Sequence, residues 1–549
     1  MEWIMELENA LLKNIKLTRQ QQIAGISSII FCLIANLYFM CNMLLNDDTV
    51  VTYYSMASPY DKEFFIRALA NGRGQYAQYI ASWFRTPFFS GVLIICCVAI
   101  ISIIVVEIIR IKSRIGAGIC GGIIAVFPAI TAFMSVWAFE YMISAAFVVA
   151  AVYLGEKKEK VLLAILLSGV GLSILPINFM CILVLNIYIV IRKILSDENV
   201  SLDSLVKSII RQSIIFAGGL VIVYMGVFYA IYASNVPVEL SSYQGGDTAI
   251  TGRWLKDIIP NIVEAFRKTR KFHTGTMSMI PQLKFTLKVC YIIQAAGVVF
   301  LGLEKRIFKN IGNTIILVFC ILALPIAVSA VSIISPSFQY SWQHRIQWVF
   351  ILSGALMIGE MLVESIWKYE RIRSLAKIIY IIVVINMGLM VYGFAVTDNI
   401  IWSSAHYVVQ RDTALCTRIL AVLDSIEGFD YNTNKVCFMN FVDVADYDTT
   451  TSLLGKEPEL YRTVTADLES NLWCYGDTSI RAHIAIFEGI RIESPDWEIE
   501  GRIQEKQNEI KNAHTDMKYG DFDIFRFEDT DTYIVVIKTQ VSYGIVNNR

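Results

Sequence analysis

Long apolar runs separated by short polar connections dominate the first 396 residues of the chain. A helix needs about 20 mostly apolar residues to cross the hydrocarbon core of a bilayer. Measured against that length, the pattern predicts about eleven membrane-spanning helices, near residues 22–45, 88–109, 116–136, 141–155, 161–175, 177–191, 213–234, 286–303, 313–335, 348–367 and 377–396. We therefore expect a mainly α protein in which residues 1–396 form a polytopic transmembrane helical bundle.

Basic residues in the short connections predict the orientation of this bundle. Lys and Arg are concentrated in cytoplasmic loops, and clusters of them occur at 110–114, 156–160, 192–193, 305–309 and 368–377. Because an even number of crossings must separate two cytoplasmic clusters, the two short runs between 161 and 191 count as two spans. We expect the N-terminus in the cytoplasm, the end of the last span outside, and the chain in the bacterial plasma membrane.

Composition supports the same class of protein. Hydrophobic residues make up 55 % of the chain and charged residues 17 %, and the mean hydropathy is +0.54, which excludes an ordinary soluble domain. The formal net charge of −1 gives no reason to expect a nucleic-acid partner. No CxxC pair occurs and the histidines are scattered, so we expect neither a metal site nor a cofactor.

From residue 397 onward the composition is that of a globular domain. The hydrophobic pattern predicts helices at 412–426 and 497–513, and strands at 435–441 and within 522–538. We expect residues 397–549 to form a small extracytoplasmic α/β domain. The segment contains no glycine-rich phosphate loop and no nucleophile elbow, which leaves acceptor recognition and a purely structural role as open alternatives.

The first external loop, residues 46–86, carries candidate chemistry. Asp47 and Asp48 follow the first span directly, and two adjacent carboxylates at a bilayer interface are either plain solvated loop or functional. Arg73 lies in an Asn-Gly-Arg turn between two aromatic-rich segments, the second of which has helical spacing. The pattern predicts two amphipathic helices, which lie either in the headgroup layer or on the protein's own surface.

The second external loop, residues 235–285, is rich in Lys and Arg although it is predicted to lie outside. Within it, residues 254–266 form an apolar stripe at helical spacing that Pro260 interrupts, and Arg253 precedes the stripe. Basic groups beside an interfacial helix point to an anionic ligand such as a phosphate-bearing lipid. Attraction to ordinary anionic lipid is the alternative.

Two further external positions are candidates. His344 and Arg345 end the third external loop. An arginine at such a place either snorkels to the interface or pairs with a phosphate. A single histidine is more often a hydrogen-bonded loop residue than an acid or base. Glu140 lies between two apolar runs at the apex of the hairpin 116–155. An acidic group there must face water or a partner.

The order of these motifs resembles that of a known family. Asn46-Asp47-Asp48 follow the first span, an amphipathic external loop bears Asn71-Gly72-Arg73, an acidic residue follows span three, and a C-terminal domain lies outside. This arrangement is similar to that of the bacterial Gtr-type (glucosyltransferase II-like) membrane glucosyltransferases of the GT-C superfamily. The resemblance covers essentially the whole membrane part.

The resemblance implies a GT-C-like catalytic domain and an activity. It implies transfer of a hexose, usually glucose, from a polyprenyl-phosphate donor to a cell-surface polysaccharide on the outer face, with a flippase and a donor synthase as further partners in the bilayer. Asp47 or Asp48 is the candidate general base for the acceptor hydroxyl, and Glu140 resembles the second acidic site. Attack opposite the phosphate would invert the anomeric centre, and no metal is required. The candidates to bind the donor are Arg73, Arg253, Arg345 and the adjacent His344.

Other activities remain as alternatives. A lipid-linked sugar flippase or transporter would need ionisable groups or broken helices near the bilayer midplane, and the predicted spans contain few. An envelope polysaccharide polymerase would depend on external arginines rather than on Asp47 and Asp48. A non-catalytic scaffold for envelope assembly is the third alternative.

Overall fold

The structure of the chain is a computed structural model. It describes residues 17–42, 66, 69–70, 86–135, 139–157, 160–196, 201–234, 251–273, 281–336, 338, 342–440, 477–513, 522–528 and 530–537. The chain divides into two compact units. The first takes in residues 1–37, 60–134 and 138–398, and the second takes in 38–59, 135–137 and 399–549.

Helices make up nearly all of the described chain before residue 398. They are α1 (Arg19–Cys41), α2 (Pro87–Ile109), α3 (Arg114–Ala125), α4 (Pro128–Ser135), α5 (Phe139–Glu156), α6 (Val161–Ile174), α7 (Phe179–Ser196), α8 (Leu202–Tyr232), α9 (Ile258–Lys271), α10 (Pro281–Glu304), α11 (Ile311–Ala327), α12 (Val331–Ile334), α13 (Trp348–Trp367) and α14 (Arg373–Asp424). Each predicted apolar run coincides with one helix or one helix pair. The predicted mainly α, polytopic bundle is therefore confirmed.

The number of crossings is confirmed only in part. Within the described residues, eight helices are long and apolar enough to cross a membrane, or nine when α3 and α4 count as one bent span. The remaining runs form α6, with 14 residues, and α11, with 17 residues. At about 1.5 Å of rise per residue these two helices are roughly 21 and 26 Å long, shorter than the ~30 Å core of a bilayer.

The predicted span 116–136 is broken. Its two halves, α3 and α4, meet at an angle of 44°. Pro128 is the first residue of α4, and because proline has no backbone N–H and disfavours helical geometry at the residue before it, helices bend or stop at such a position. The bend places Phe127 at the junction, where its side chain is fully buried.

A close approach of backbones joins α1 to α3. A Cβ at Gly121 would overlap the backbone carbonyl of Ala24 in α1. Three residues earlier on the same face of α3, the Ser27 hydroxyl of α1 donates a hydrogen bond to the Gly118 carbonyl at 2.6 Å. Small residues that allow such contact, with hydroxyls bonding across the interface, are typical of helix packing inside membranes.

The start of α3 is capped by its own residue and by another helix. Ser113 accepts a hydrogen bond from the Gly116 N–H at 2.8 Å, and the Glu360 carboxylate of α13 accepts from the Lys112 N–H at 2.9 Å and from the Ser113 hydroxyl. A carboxylate at this position satisfies N–H groups that have no partner within the helix and is favoured by the helix dipole. Gly116 leaves room for it, since a Cβ there would overlap the Glu360 side chain.

The second unit contains the last part of α14 and a three-stranded sheet. Its other elements are β1 (Lys435–Asn440), α15 (Asp477–Phe487), α16 (Trp497–Glu505), α17 (Gln507–Ala513), β2 (Phe522–Arg526) and β3 (Thr532–Ile537). The strand order is β1-β3-β2, with β3 parallel to β1 and antiparallel to β2. The predicted strands of this segment are confirmed. The predicted helix 412–426 is the last part of α14 rather than a separate helix, and 497–513 forms two helices rather than one.

Helices cover both faces of this sheet, which explains the continuous apolar run Ile534–Ile537 in its central strand. Val535 and Ile537 of β3 pack with α14 and α15 on one face. Ile534 and Val536 pack with α16 and α17 on the other face. Because successive side chains of a strand point to opposite faces, a strand buried on both sides needs a continuous apolar run.

The contact between α1 and α3 predicts unequal effects for two glycine substitutions. Gly121→Ala places a methyl group against backbone that cannot move aside, so it should cost about 1–3 kcal/mol and lower the temperature of half-unfolding in detergent. Gly388→Ala in α14 is the matched control, because no described residue has an atom within 4 Å of the position that its methyl group would take and alanine favours a helix. Equal stability of both variants would contradict the close contact.

His483 of α15 predicts a pH dependence in the second unit. Its side chain is 3 % exposed, and its Nε2 lies 3.1 Å from the Thr413 hydroxyl, which itself donates to the Val409 carbonyl at 2.8 Å. The neutral imidazole must therefore donate from Nε2. Burial lowers the pKa of His483 to about 4.

We expect this unit to lose stability as the pH falls below about 6.5. The unfolded chain binds a proton at His483 near pH 6.5, whereas the folded chain resists protonation until about pH 4, so the loss between pH 7 and pH 5 should be about 2 kcal/mol. His483→Gln keeps an amide donor but does not titrate, and should remove this part of the dependence. Pulse proteolysis of the full chain in urea at both pH values measures the difference; an identical pH effect in the variant would contradict the assignment.

Candidate active site

Four of the seven predicted site residues lie in the described part of the chain. They are Glu140, Arg253, His344 and Arg345. The other three, Asp47, Asp48 and Arg73, lie outside the described residues. The site is therefore built here from the elements that carry the first four.

Glu140 is the second residue of α5 and is only 3 % exposed. The N–H groups of a first helical turn favour a carboxylate at this position. The residues on either side fix the helix end: the Phe139 ring packs edge-on against Phe89 of α2 at 6.4 Å, and the Tyr141 ring packs edge-on against Phe133 of α4 at 6.1 Å. The carboxylate is thus buried where α2 and α4 meet α5, and does not face water.

The predicted helix of the second external loop is confirmed as α9, with a different role for Pro260. The proline is the third residue of α9 and does not interrupt it. In the first turn of a helix the missing N–H has no helical partner to lose. A short 3-10 turn, Arg253–Asp257, precedes the helix.

Small and polar side chains attach α9 to its neighbours. Asn261 donates to the Ile333 carbonyl of α12 at 3.0 Å. The Thr269 hydroxyl donates to the Pro325 carbonyl of α11 at 2.7 Å and lies 2.7 Å from the Ser329 hydroxyl. Both residues are buried, as is Ala265 between them.

The opposite face of α9 and its leading turn is apolar and exposed. Exposed fractions run from 51 % to 72 % for Leu255, Ile259, Val263 and Phe266. A helix of a soluble protein buries its apolar face, whereas a helix in the headgroup layer turns that face to lipid. The structure therefore favours α9 as an interfacial helix that is also attached to the bundle.

Arg345 lies at the end of α9. Its guanidinium carbon is 3.7 Å from the centroid of the Phe272 ring, the residue that follows α9. Phe272 in turn packs against Trp342 at 5.2 Å and Trp348 at 5.0 Å. A guanidinium stacked on an aromatic ring keeps its charge and its planar donors in a fixed orientation.

His344 is neutral at physiological pH. Its ring packs edge-on against Phe338 at 4.9 Å. Burial, and secondarily the adjacent Arg345 charge, lowers the pKa of His344 to about 3. The imidazole can therefore donate or accept a hydrogen bond with a ligand, but it carries no positive charge that would attract a phosphate.

Lys268 of α9 adds a cation close to Arg345 that is not among the predicted site residues. Its ammonium donates to the carbonyls of Pro336 at 2.8 Å and Phe338 at 3.0 Å, and these bonds attach α9 to the segment that precedes Trp342. Burial lowers the pKa of Lys268, the neighbouring Glu264 raises it, and the Arg267 and Arg345 charges lower it further. Two positive charges thus converge at this end of α9.

The structure does not bring Arg253 to the same place. Arg253 precedes α9 and Arg345 contacts the residue that follows it. The two ends of α9, which has 14 residues, lie about 21 Å apart. Arg253 is exposed, and a single phosphate group cannot bridge both arginines.

Aromatic contacts extend from Arg345 into the bundle. Trp342 packs edge-on against Phe127, at the bend between α3 and α4, with 6.0 Å between ring centroids. Phe127 contacts Phe394 of α14 at 5.5 Å. One turn beyond Phe394 on α14 lies Asp398, a carboxyl group that the predicted site residues do not include.

Asp398 is fully buried inside a helix that qualifies as a membrane span. Its neighbours include Cys32 of α1 and Thr131 of α4, but the Thr131 hydroxyl donates to Asn36 Oδ1 at 3.2 Å. Within the described residues neither carboxyl oxygen of Asp398 accepts a hydrogen bond. An acidic group buried at this cost inside a membrane helix marks a functional position more often than a structural one.

A sequence signal for Asp398 does exist. The predicted last span ends at residue 396, where polar residues become common. The helix continues without interruption to Asp424, so Asp398 belongs to its buried part. An isolated acid flanked by apolar helical turns, Phe394 on one side and Trp402 on the other, is the pattern that identifies it.

The described residues show no group of three His, Cys, Asp or Glu side chains that could hold a metal ion together. Asp47 and Asp48 are outside that set. Two cavities of the described chain, of about 240 and 220 Å³, have none of the predicted site residues in their lining.

Comparison with known protein families identifies one match. The family model for glucosyl transferase GtrII matches residues 37–359, more than half of the chain. The chain belongs to this family. No curated protein and no solved structure matches the chain.

Membership of the GtrII family confirms the resemblance and makes the chain a membrane glycosyltransferase. The matched region begins near the end of α1 and ends within α13. It contains all seven predicted site residues. Asp398 and the sheet of the second unit lie beyond it.

Two buried polar residues of this GtrII protein, Asp398 and Asn36, are predicted to affect thermal stability in opposite directions when they are substituted. Asp398→Asn replaces a carboxyl whose oxygens have no hydrogen-bond partner among the described residues with a neutral amide of the same shape, so thermal stability in detergent should stay equal or rise. Asn36→Leu removes the donor to the Cys32 carbonyl, 3.2 Å away, and the acceptor of Thr131, and should cost about 1–3 kcal/mol. Thermal unfolding followed by size-exclusion fluorescence measures both; a larger loss for Asp398→Asn would contradict this description of the cluster.

Proposed function

We propose that this GtrII protein transfers a hexose, with glucose as the first candidate, from a polyprenyl-phosphate donor to a cell-surface polysaccharide on the outer face of the bacterial plasma membrane. The observation that carries the proposal is the family match over residues 37–359, which spans every predicted catalytic and donor-binding residue. The sugar, the donor and the membrane side are parts of the proposal, with the N-terminus in the cytoplasm.

The geometry of α9 supports an amphiphilic, anionic donor. The exposed apolar face of α9 provides a surface for a polyprenyl chain in the plane of the interface. At the end of that face, the Arg345 guanidinium stacks on Phe272. The Lys268 ammonium donates to the Phe338 carbonyl, and the Arg345 charge acts on it by lowering its pKa. A phosphate is the group that such a pair of cations recognises. Arg73 and Arg253 stay candidates for further donor contacts, and His344 for a neutral hydrogen bond.

The chemistry requires a base for the acceptor rather than an acid for the donor. The donor phosphate is already a competent leaving group, whereas the acceptor hydroxyl must lose its proton as the new bond forms. We assign that role to Asp47 or Asp48, with the other carboxylate orienting the base or the acceptor. Glu140 is the second acidic group, and direct attack inverts the anomeric centre. The scheme uses no metal and no cofactor.

Asp398 joins this set of acidic groups as an addition from the structure. It is buried with no hydrogen-bond partner for its carboxyl oxygens among the described residues, and an acidic group buried in a membrane helix serves function more often than folding. A buried acid in a span also fits a flippase or transporter. Membership of a glycosyltransferase family favours the enzyme, and a polysaccharide polymerase differs from it by its acceptor.

A transfer assay tests the proposal. Membranes carrying the wild-type chain should transfer label from radiolabelled polyprenyl-phosphate glucose to polysaccharide, and loss of a general base should slow transfer by about 10²–10⁴-fold. Asp47→Asn and Asp48→Asn are therefore compared with Asp203→Asn. Asp203 is the matched control, since it is exposed and its side chain pairs only with Lys207 four residues on, within the described chain.

Each outcome bears on a separate part of the proposal. Full activity of both Asp47→Asn and Asp48→Asn would remove the base assignment while leaving the enzyme class intact. Absence of transfer from any polyprenyl-phosphate sugar by the wild-type chain would overturn the donor class. A slow Asp398→Asn variant that keeps wild-type thermal stability would place Asp398 in the reaction.

A further inference from the structure

A cavity lined by basic side chains lies at a set of helix ends that the proposed reaction does not use. Its volume is about 220 Å³. The helices α2, α7, α10 and α13 all end beside it. The cations that line it are Arg110, Lys112, Arg192, Lys305 and Lys368.

Carboxylates compensate only part of this charge. Lys112 pairs with Glu364, another lining residue, at 2.6 Å, and Arg192 pairs with Glu156 at 3.1 Å. Lys305 donates to the Ser196 carbonyl at 2.7 Å. Within the described chain, Arg110, Lys305 and Lys368 have no carboxylate partner, and the Arg110 charge repels that of Arg192.

The dipoles of the helices do not account for the excess of positive charge around the cavity. Each helix C-terminus is equivalent to about half a negative charge, and a cation near it is favoured by ~0.3–1 kcal/mol. This effect explains one basic residue at one helix end. It does not explain why cations from the ends of four helices face a single cavity, where they repel one another.

Arg110 occupies a backbone position that arginine does not favour. It caps the end of α2 with φ +57°, in the left-handed region, where glycine or asparagine is usual. The cap itself requires only the backbone N–H, which donates to the Val106 carbonyl. The cap geometry therefore does not account for a cationic side chain at this position.

An apolar cavity of about 240 Å³ shares a wall with the basic one. Arg110, Lys112, Met361 and Glu364 line both cavities. The rest of the second cavity is formed by Met357, Val363, Trp367 and Tyr380 together with Ser113 and Glu360. The Glu360 carboxylate accepts hydrogen bonds from the Lys112 N–H and the Ser113 hydroxyl at the start of α3. A cationic compartment next to an apolar one matches a molecule with an anionic head and a hydrocarbon tail.

We propose that these two cavities bind an anionic membrane phospholipid, with the phosphate in the basic cavity and part of an acyl chain in the apolar cavity. Basic pockets between membrane helices, on the side where Lys and Arg are concentrated, bind lipid headgroups. Phosphate oxygens would accept from Arg110 and Lys368 and relieve the repulsion between the cations. This site is separate from the proposed reaction and does not depend on it.

The test measures lipid binding to the full chain. The protein is purified in neutral detergent, stripped of lipid, and titrated with phosphatidylglycerol, phosphatidylcholine or inorganic phosphate, with bound ligand counted by native mass spectrometry. Removing two charges near a lipid headgroup, as in Arg110→Asn with Lys368→Gln, should weaken phosphatidylglycerol binding ten- to thirtyfold, equivalent to about 1.4–2 kcal/mol. Asparagine suits the left-handed backbone at position 110, so the cap is preserved.

A matched pair of substitutions controls for general surface charge. Lys309→Gln with Arg371→Gln removes the same charge from exposed residues that follow α10 and α13 without lining either cavity. This control should bind phosphatidylglycerol within about twofold of the wild type. An equal loss in both double variants, or no loss in either, would overturn the proposal.

A third variant separates a lipid from free phosphate. Val363→Gln places a polar group in the apolar cavity and should weaken phosphatidylglycerol binding while leaving the charges unchanged. Inorganic phosphate should bind far more weakly than phosphatidylglycerol to the wild type. Equal affinity for the two, or equal affinity for phosphatidylcholine and phosphatidylglycerol, would overturn the assignment to an anionic lipid.

Discussion

The close contact of α1 with α3 is the constraint on which the membrane unit depends. At Gly121 the backbone of α1 occupies the space of a side chain, and Ser27 bonds to α3 nearby. Glu360 holds the start of α3, and the bend before Pro128 directs α4 so that Thr131 reaches Asn36 of α1. Because apolar surroundings offer few alternative partners for these polar groups, α1, α3 and α4 are held in one arrangement, and Asp398 lies beside it.

Periodicity and length are sufficient to predict the helices but not their buried polar groups. The apolar runs from α1 to α14 can be recognised because a bilayer demands a long uninterrupted stretch. Periodicity and length do not predict that Asp398 is buried, because the composition changes at residue 397, where the predicted last span has already ended. The helix continues through that change, since hydrogen bonding along the backbone does not depend on which side chains face lipid.

Distances between candidates cannot be predicted from their order in the chain. Arg253 and Arg345 are both predicted as external basic groups that attract phosphate, yet the length of α9 separates them. Glu140 is predicted at the apex of a hairpin, yet it is only 3 % exposed. His344 is predicted in an external loop, yet its ring packs edge-on against Phe338. Burial is decided by residues from several helices, and a single segment contains no information on which helices those are.

The packing of α9 shows how a bilayer changes the usual rule for an amphipathic helix. Burying a large apolar side chain stabilises a structure by about 1.5–3 kcal/mol. The attachment of α9 through Asn261, Ala265 and Thr269 leaves four such side chains uncovered, and in water this stabilisation would be lost. The arrangement becomes favourable when lipid covers the apolar face. In that position α9 has hydrocarbon on one side, polar bonds to the bundle on the other, and cations at its end. The proposed donor would lie along the same layer, with its polyprenyl chain against the apolar face of α9 and its phosphate beside the cations at the end of the helix.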